Sequence, residues 1–337
     1  MSLVAGLDAR NAYFFLFIIN KLTIFFVPQE PSDNPTGSPA AFLPGMDIRA
    51  RIQDPRYYQI AVLGTLVAYG VLALDFGIRP ENAIVIVIVA LLVQFAGTRA
   101  ARLPRFDPLS PLITSLSLTL LLRTDLVAIA AFAALIAISS KFLVRVRGKH
   151  VFNPANVAIV TLMLSSDHAW ISSGQWGGAA IGAFALACLG FIVLTRAKRA
   201  ETTVGFLGFY ALLLFGRALW LGDPLTIPMH QLQNGALLVF AFFMISDPKT
   251  TPDSAIGRVI YSMLVASLAF TIQFVLYRPH GPILALIATA PLVPVIDFLF
   301  RGAAYRWNHY LGECRDSDYP VNEYAANHPA QQIKGVY

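Results

Sequence analysis

The stretch FFMISDPKTTPDSAIGR, residues 242–258, ends one apolar run and begins another. Upstream, residues 235–245 have the composition of a membrane-helix interior. Two acids, two prolines, two adjacent threonines and a lysine then fall between Ser246 and Asp253. A connection between two membrane helices needs a break and some polarity, which Asp247 and Pro248 already provide. The additional polar residues predict that the stretch forms part of a functional cavity; a turn with two helix caps is the alternative.

The composition predicts a polytopic membrane protein. Of the 337 residues, 56% are hydrophobic and only 13% are charged, whereas soluble domains carry about a quarter charged residues. The net charge of +6 comes from short Lys and Arg clusters between apolar runs. This pattern is typical of membrane loops and does not predict a nucleic-acid partner. Two cysteines, Cys188 and Cys314, predict neither a disulfide framework nor a metal site.

Ten apolar segments follow one another between residues 57 and 300. A membrane-spanning helix needs about 20 residues, and the third, fifth and eighth segments are too short, so we expect broken or half-length helices there. The ten segments are 57–75, 83–98, 109–122, 126–144, 155–164, 177–195, 203–221, 235–246, 256–277 and 281–300.

The distribution of Lys and Arg predicts the orientation of these segments. If each segment crosses once, seventeen basic residues fall on the side where the first segment starts. Four fall on the other side: Arg79, Arg123, Arg217 and Arg278. Both flanks of the core are therefore expected in the cytoplasm. Two groups of five segments would have opposite orientations, which predicts an all-α fold of two inverted five-helix repeats.

The flanks of the transmembrane domain, residues 46–301, have a different composition. Residues 1–45 contain one apolar stretch, 11–27, and a Pro-rich linker. An interfacial helix, an eleventh span, and an extension upstream of a true start at Met46 all stay open. Residues 302–337 form a polar tail, which we expect in the cytoplasm.

Three Asx-Pro motifs adjoin the three short segments: FDPLSP at 106–111, FNPAN at 152–156 and SDPKTTP at 246–252. Asp or Asn before Pro favours turns and helix boundaries, so caps and turns are again the alternative interpretation. Because all three motifs fall on the same predicted face, we expect them to surround one cavity. The candidate cavity residues are Asp107, Thr114, Asn153, Pro154, Asp247, Pro248, Thr250 and Thr251; no catalytic residue is predicted.

Each side of this cavity has an expected role. The carbonyl end of the eighth segment and Asp247 favour a cation or a hydrogen-bond donor. Thr250 and Thr251 can both donate and accept, which suits a neutral polar ligand or the edge of a flavin. Asn153 is the candidate for the opposing wall. Lys141, within a turn of a predicted helix end, is expected to snorkel, and Asp297 is a cap or a proton carrier.

The order of SPLITSLSLTLLL, GKHVFNPANVAIV and FFMISDPKTTPDSAIGR resembles the NqrB/RnfD family of membrane electron-transport subunits. DPRYYQIAVLG and RALWLGDPLTIPMHQLQNGALLVFAFFMISDPKTTPD look closer to a stand-alone branch, the UnbU-type proteins found beside enediyne biosynthesis enzymes. The resemblance covers about residues 47–300. It implies ten helices in two inverted repeats, similar to urea transporters.

The resemblance also bears on whether this chain carries a covalently attached flavin. Relatives carry FMN joined through its phosphate to a threonine of an SGAT-like motif, between the fifth and sixth segments. The corresponding loop here, SSDHAWISSGQWG at 165–177, contains no threonine. No covalent flavin is therefore predicted, whereas a non-covalent flavin stays open.

Three functions follow from these observations. The first is a membrane subunit working in, or derived from, redox-coupled ion translocation. The second is a channel or transporter for a small solute or ion. The third is a membrane scaffold for a redox or biosynthetic partner.

Overall fold

The computed structural model describes residues 54–72, 77–103, 105–146, 148–171, 200–303 and 305. The chain is predominantly helical over these residues. The predicted segment 177–195, the flank 1–45 and the tail from residue 306 lie outside them. The described residues of the other nine predicted segments are mainly helical.

The first five helices contain two short members. They are α1 (Pro55–Leu72), α2 (Pro80–Ala100), α3 (Leu109–Leu121), α4 (Val127–Leu143) and α5 (Pro154–Ser165). Helices α3 and α5 have 13 and 12 residues, which reach only about 18–20 Å at 1.5 Å per residue. The prediction of half-length helices is confirmed at both positions.

Two short antiparallel strand pairs accompany these helices. Strand β1 (Leu122–Thr124) follows α3 directly, β2 (Arg145–Val146) and β3 (Lys149–His150) form a hairpin between α4 and α5, and β4 (Ala169–Ile171) follows α5. Strand β1 pairs with β4. The two half-length helices therefore continue as extended chain whose backbone groups bond each other, as burial away from water requires.

The second half contains interrupted helices. It comprises α6 (Ala200–Leu221), α7 (Thr226–Leu232), α8 (Gly235–Val239), α9 (Ala255–Phe270), α10 (Gly281–Thr289) and α11 (Val293–Leu299). A π-helical turn, Phe240–Met244, extends α8, and another, Thr271–Val275, extends α9. A 3₁₀ turn at Ala290–Leu292 joins α10 to α11. The predicted segment 281–300 is thus broken at Pro291, and α7 was not predicted.

The exposed surface of α2 shows how the fold is arranged relative to its surroundings. Ile84, Ile88 and Leu92 are each at least half exposed and lie one turn apart on one face. The opposite face is buried and carries Asn82 and Gln94. An apolar outer face with polar groups inside is the arrangement expected of a lipid-embedded helix.

Within the described residues, four helices are long and apolar enough to cross a membrane. They are Pro80–Ala100, Ala200–Leu221, Ala255–Val275 and Gly281–Leu299, with shorter apolar helices between them. Within the first half, α2 packs on α4 and α4 on α5, while α1 and α2 pack on α3; in the second half, α6 packs on α9 and α9 on α10. Helices α5 and α10 connect the halves. The chain is a multi-pass membrane protein.

Candidate functional site

The three Asx-Pro motifs converge on one cavity of about 380 Å³. Asp107 and Pro108 precede α3, Asn153 and Pro154 begin α5, and Asp247 and Pro248 follow the π turn of α8. Six of the eight candidate residues lie in the cavity wall: Asp107, Thr114, Asn153, Pro154, Asp247 and Pro248. Residues of all three motifs thus lie around one cavity.

Each Asx side chain also bonds a backbone amide of its own motif, and Asn153 is the N-cap of α5. Asp107 Oδ1 accepts from the Leu109 amide at 3.0 Å, Asn153 Oδ1 from Asn156 at 3.1 Å and Asp247 Oδ1 from Lys249 at 3.0 Å. A local turn or cap and a place in the cavity wall are therefore not exclusive, because all three residues also line the cavity.

Asn153, the candidate for the wall opposite Asp247, lies directly beside Asp247 in the cavity wall. Asn153 Nδ2 donates to the Met244 carbonyl at 3.3 Å and lies 3.5 Å from Asp247 Oδ2. The Phe242 carbonyl accepts from the Ser246 hydroxyl. These two carbonyls of the π turn are thus bonded within the protein, which weakens the expected preference of this helix end for a cation.

Thr250 and Thr251 do not line the cavity. Both are buried, and their hydroxyls donate to the Asp247 carbonyl at 3.3 and 3.0 Å. The structure therefore does not place them as ligand contacts. They hold the turn that presents Asp247, a common use of hydroxyls at local backbone turns.

Asp107 forms an ion pair with Arg56. Arg56, at the start of α1, donates from Nη1 to Asp107 Oδ2 at 2.6 Å and from Nη2 to Asp54 Oδ2 at 2.7 Å. Thr114 also faces the cavity, although its hydroxyl donates to the Ser110 carbonyl at 3.1 Å. Both residues line the wall with part of their polar groups already bonded.

The expectation that Lys141 snorkels is wrong. Its side chain is buried, and Nζ donates to Gln94 Oε1 at 2.9 Å and to Ser110 Oγ at 2.8 Å, in the cavity wall. The sequence signal for this pairing was Gln94, an isolated polar residue within the apolar run 83–98. Its distance of 47 residues along the chain hid the pairing.

The β2–β3 hairpin supplies part of the wall that sequence reasoning missed. Lys149 donates to the Thr251 carbonyl and pairs with Asp253 at 3.1 Å and Asp297 at 3.2 Å. Asp297 Oδ1 also accepts from the Asp253 amide at 2.7 Å. Asp297 is therefore a structural acceptor in a network that joins the hairpin, the SDPKTTP turn and α11.

Burial and charge shift the pKa values of two groups in the wall. Burial, and then the charges of Lys141, Arg145, Lys249 and Lys149, lower the pKa of His150 to about 3. Burial raises the pKa of Asp247 above its ordinary range, and the Lys249 amide and the neighbouring lysines offset this in part. The imidazole of His150 is thus neutral at neutral pH, and burial disfavours the charged form of Asp247.

These features define a multi-pass membrane protein with a polar cavity between half-length helices. Residues 167–306 match the model of the NQR2, RnfD, RnfE family. The chain is similar to a subunit of the ion-translocating oxidoreductase complex of Erwinia tasmaniensis, with 32% identity over 117 residues, 34% of this chain and 33% of that protein. The corresponding subunit of Escherichia coli is 28% identical over 137 residues, 41% and 35% of the two chains.

The reach of these similarities is limited to part of the site. The chain spans 33% to 35% of the length of these curated relatives. The family match contains Asp247 and Pro248 but ends short of Asp107 and Asn153 towards the N-terminus. The parts of the cavity wall that contain Asp107 and Asn153 are therefore known only from the structure and not from the family match.

Proposed function

We propose that this chain is a membrane subunit of the RnfD/NqrB type, working in or derived from redox-coupled ion translocation, and that its cavity binds a flavin non-covalently. The cavity between the three Asx-Pro motifs is the observation that carries this proposal. The similar subunits belong to ion-translocating oxidoreductase complexes, which favours a redox ligand. Other redox subunits are its expected partners, and the likeness to the UnbU-type branch stays a prediction.

The chemistry of the wall suits an isoalloxazine ring. Such a ring is flat and apolar on its faces and carries hydrogen-bond donors and acceptors along one edge. Phe142, Phe243 and Tyr305 contribute aromatic surface to the cavity, and Asn153 with Asp247 offers an amide beside a carboxyl. The cavity thus combines aromatic surface with many polar and charged side chains, which can fix the orientation of a small polar ligand.

The absence of a covalent attachment is part of the same proposal. Residues 165–177 contain no threonine, and Ala169–Ile171 within them pair with β1. The purified protein is expected to bind added flavin saturably and to release all of it on denaturation. Binding is measured by quenching of flavin fluorescence, and attachment by ultraviolet fluorescence of the band on a denaturing gel. If the protein binds neither riboflavin nor FMN, the proposed flavin site is wrong. A fluorescent band that disappears when a threonine is replaced would show covalent attachment and would also contradict the proposal.

We further propose two inverted repeats with the cavity facing the cytoplasm. The seventeen-to-four distribution of basic residues supports this orientation. The packing of α2 on α4 and α4 on α5, repeated by α6 on α9 and α9 on α10, supports the repeat. Reporter fusions at Gly148, Gly222 and Gly302 are expected to read inside, outside and inside. An outside signal at Gly148 would reverse the orientation.

A further inference from the structure

The exposed apolar face of α2 ends in an arginine. This face continues from Leu92 to Phe95, which is 49% exposed, and Arg99 follows one turn later and is also exposed. Helix α2 has 21 residues, so it extends over about 30 Å, the thickness of the hydrocarbon core of a membrane. A helix of this length that starts at one membrane surface places Arg99 at the other, at the level of the lipid headgroups.

The guanidinium of Arg99 contacts the aromatic ring of Phe95. Its Cζ atom lies 5.3 Å from the ring centroid, within the range of a cation–π contact. The ring of Phe106 meets Phe95 edge-on, with 6.0 Å between the centroids. The contact thus positions a guanidinium, which can bind phosphate oxygens with two parallel hydrogen bonds, next to the apolar face of the helix.

The turn after α2 presents a second arginine. Arg102 has a left-handed backbone with φ of 51°, at a position where glycine is usual. Its amide donates to the Arg99 carbonyl at 3.1 Å, and the Leu103 amide donates to the Thr98 carbonyl at 2.9 Å, which is a Schellman cap. The cap satisfies carbonyls that would otherwise repel an anion at this helix end. A side chain in this conformation costs stability relative to glycine, which indicates a use for the Arg102 side chain.

The charges of the two arginines are not neutralised by ion pairs. Arg79 and Arg217, at the opposite predicted membrane face, pair with Glu81 and Asp223. Within the described part of the chain, no carboxylate lies within 4.0 Å of the nitrogens of Arg99 or Arg102. Two exposed positive charges at the end of a lipid-facing helix face attract an anionic headgroup.

We propose that Phe95, Arg99 and Arg102 form a binding site for an anionic phospholipid. The guanidinium groups bind the phosphate, and the apolar face of α2 contacts the acyl chains. A phosphatidylcholine headgroup fits less well, because the arginines repel its choline cation. The continuity of the arginines with the apolar face favours a lipid over an acidic soluble protein. None of the three residues lines the cavity, so this site is independent of the proposed flavin site.

The test is native mass spectrometry of the purified full-length protein, titrated in detergent with phosphatidylglycerol or phosphatidylcholine of the same acyl chains. We expect the first phosphatidylglycerol to bind at least about tenfold more tightly than phosphatidylcholine. The double variant Arg99→Gln, Arg102→Gln should bring the two affinities within about twofold of each other. Phe95→Leu should reduce the preference by about two- to fivefold. Arg301→Gln removes an exposed arginine on the same predicted face and is the control that should keep the preference.

Four outcomes would overturn the proposal. Equal affinities for the two lipids in the unsubstituted protein would do so and would favour an acidic soluble protein as the partner. A double variant that is folded, as judged by its melting temperature, and still prefers phosphatidylglycerol would also do so. Loss of the preference in Arg301→Gln would show that the overall charge of the face attracts the lipid. Displacement of the lipid by an equal concentration of glycerol phosphate, which has no acyl chains, would show that the residues bind free phosphate.

Discussion

Arg56→Met is expected to lower the free energy of unfolding by about 3–5 kcal/mol. Arg56 is 6% exposed and binds two carboxylates, Asp54 at 2.7 Å and Asp107 at 2.6 Å. Methionine preserves much of the side-chain volume but leaves the buried Asp54 carboxylate without this partner, whereas the half-exposed Asp107 can be hydrated. The loss of one member of a buried ion pair is costly for this reason. Unfolding in a graded denaturing detergent measures the change.

Arg79→Met is the matched control. Arg79 pairs with Glu81 at 3.2 Å, and both side chains are about half exposed. Exposed pairs contribute about 0–1 kcal/mol because water and salt screen them. Equal decreases in the free energy of unfolding for the two variants would show that the Arg56 ion pairs contribute no more than a surface pair. The Arg56–Asp107 pair would then not stabilise the position of the FDPLSP motif in the cavity wall.

Asn153→Ser is expected to weaken flavin binding about tenfold with little change in stability. Serine still caps α5, because its hydroxyl can accept from the Asn156 amide as Asn153 Oδ1 does at 3.1 Å. It has no amide to donate to the Met244 carbonyl or to approach Asp247. The variant thus separates the cap from the cavity wall. Flavin titration and the melting temperature are measured on the same preparation.

Ser254→Ala provides the opposite control. The Ser254 hydroxyl accepts from the Gly257 amide at 3.0 Å and caps α9 without lining the cavity. Its loss should cost about 0.5–2 kcal/mol in stability and leave flavin affinity unchanged. If flavin binding in both variants instead falls only in step with stability, Asn153 is a helix cap and nothing more.

Helix positions and breaks could be predicted because they depend on local sequence. Apolar runs fix the spans, and Pro after Asp or Asn fixes the turns. The same chemistry placed Asn153 opposite Asp247, since two breaks on one predicted face must meet if they share a cavity. Thr250 and Thr251 could not be placed in this way, because a hydroxyl that bonds its own turn has the same sequence as one that faces a ligand.

Features that depend on distant partners could not be predicted. Strand β1 has three residues and no alternating pattern; it exists because β4, which follows α5 along the chain, lies beside it. From the sequence, Lys141 is expected to extend its ammonium group to water at the helix end. It is buried instead because Gln94 and Ser110 lie where they can accept its hydrogen bonds. The contribution of the β2–β3 hairpin to the cavity wall was missed for the same reason, since the run KFLVRVRGKH is also typical of a cytoplasmic loop.

The most direct test of the cavity as a ligand site is to locate the flavin. We expect an electron cryomicroscopy map of the protein with FMN to show the isoalloxazine between Asn153 and Phe243. No density should connect a flavin to the 165–177 loop. An empty cavity at saturating FMN, or flavin bound elsewhere on the chain, would contradict the assignment of the three Asx-Pro motifs to a binding site.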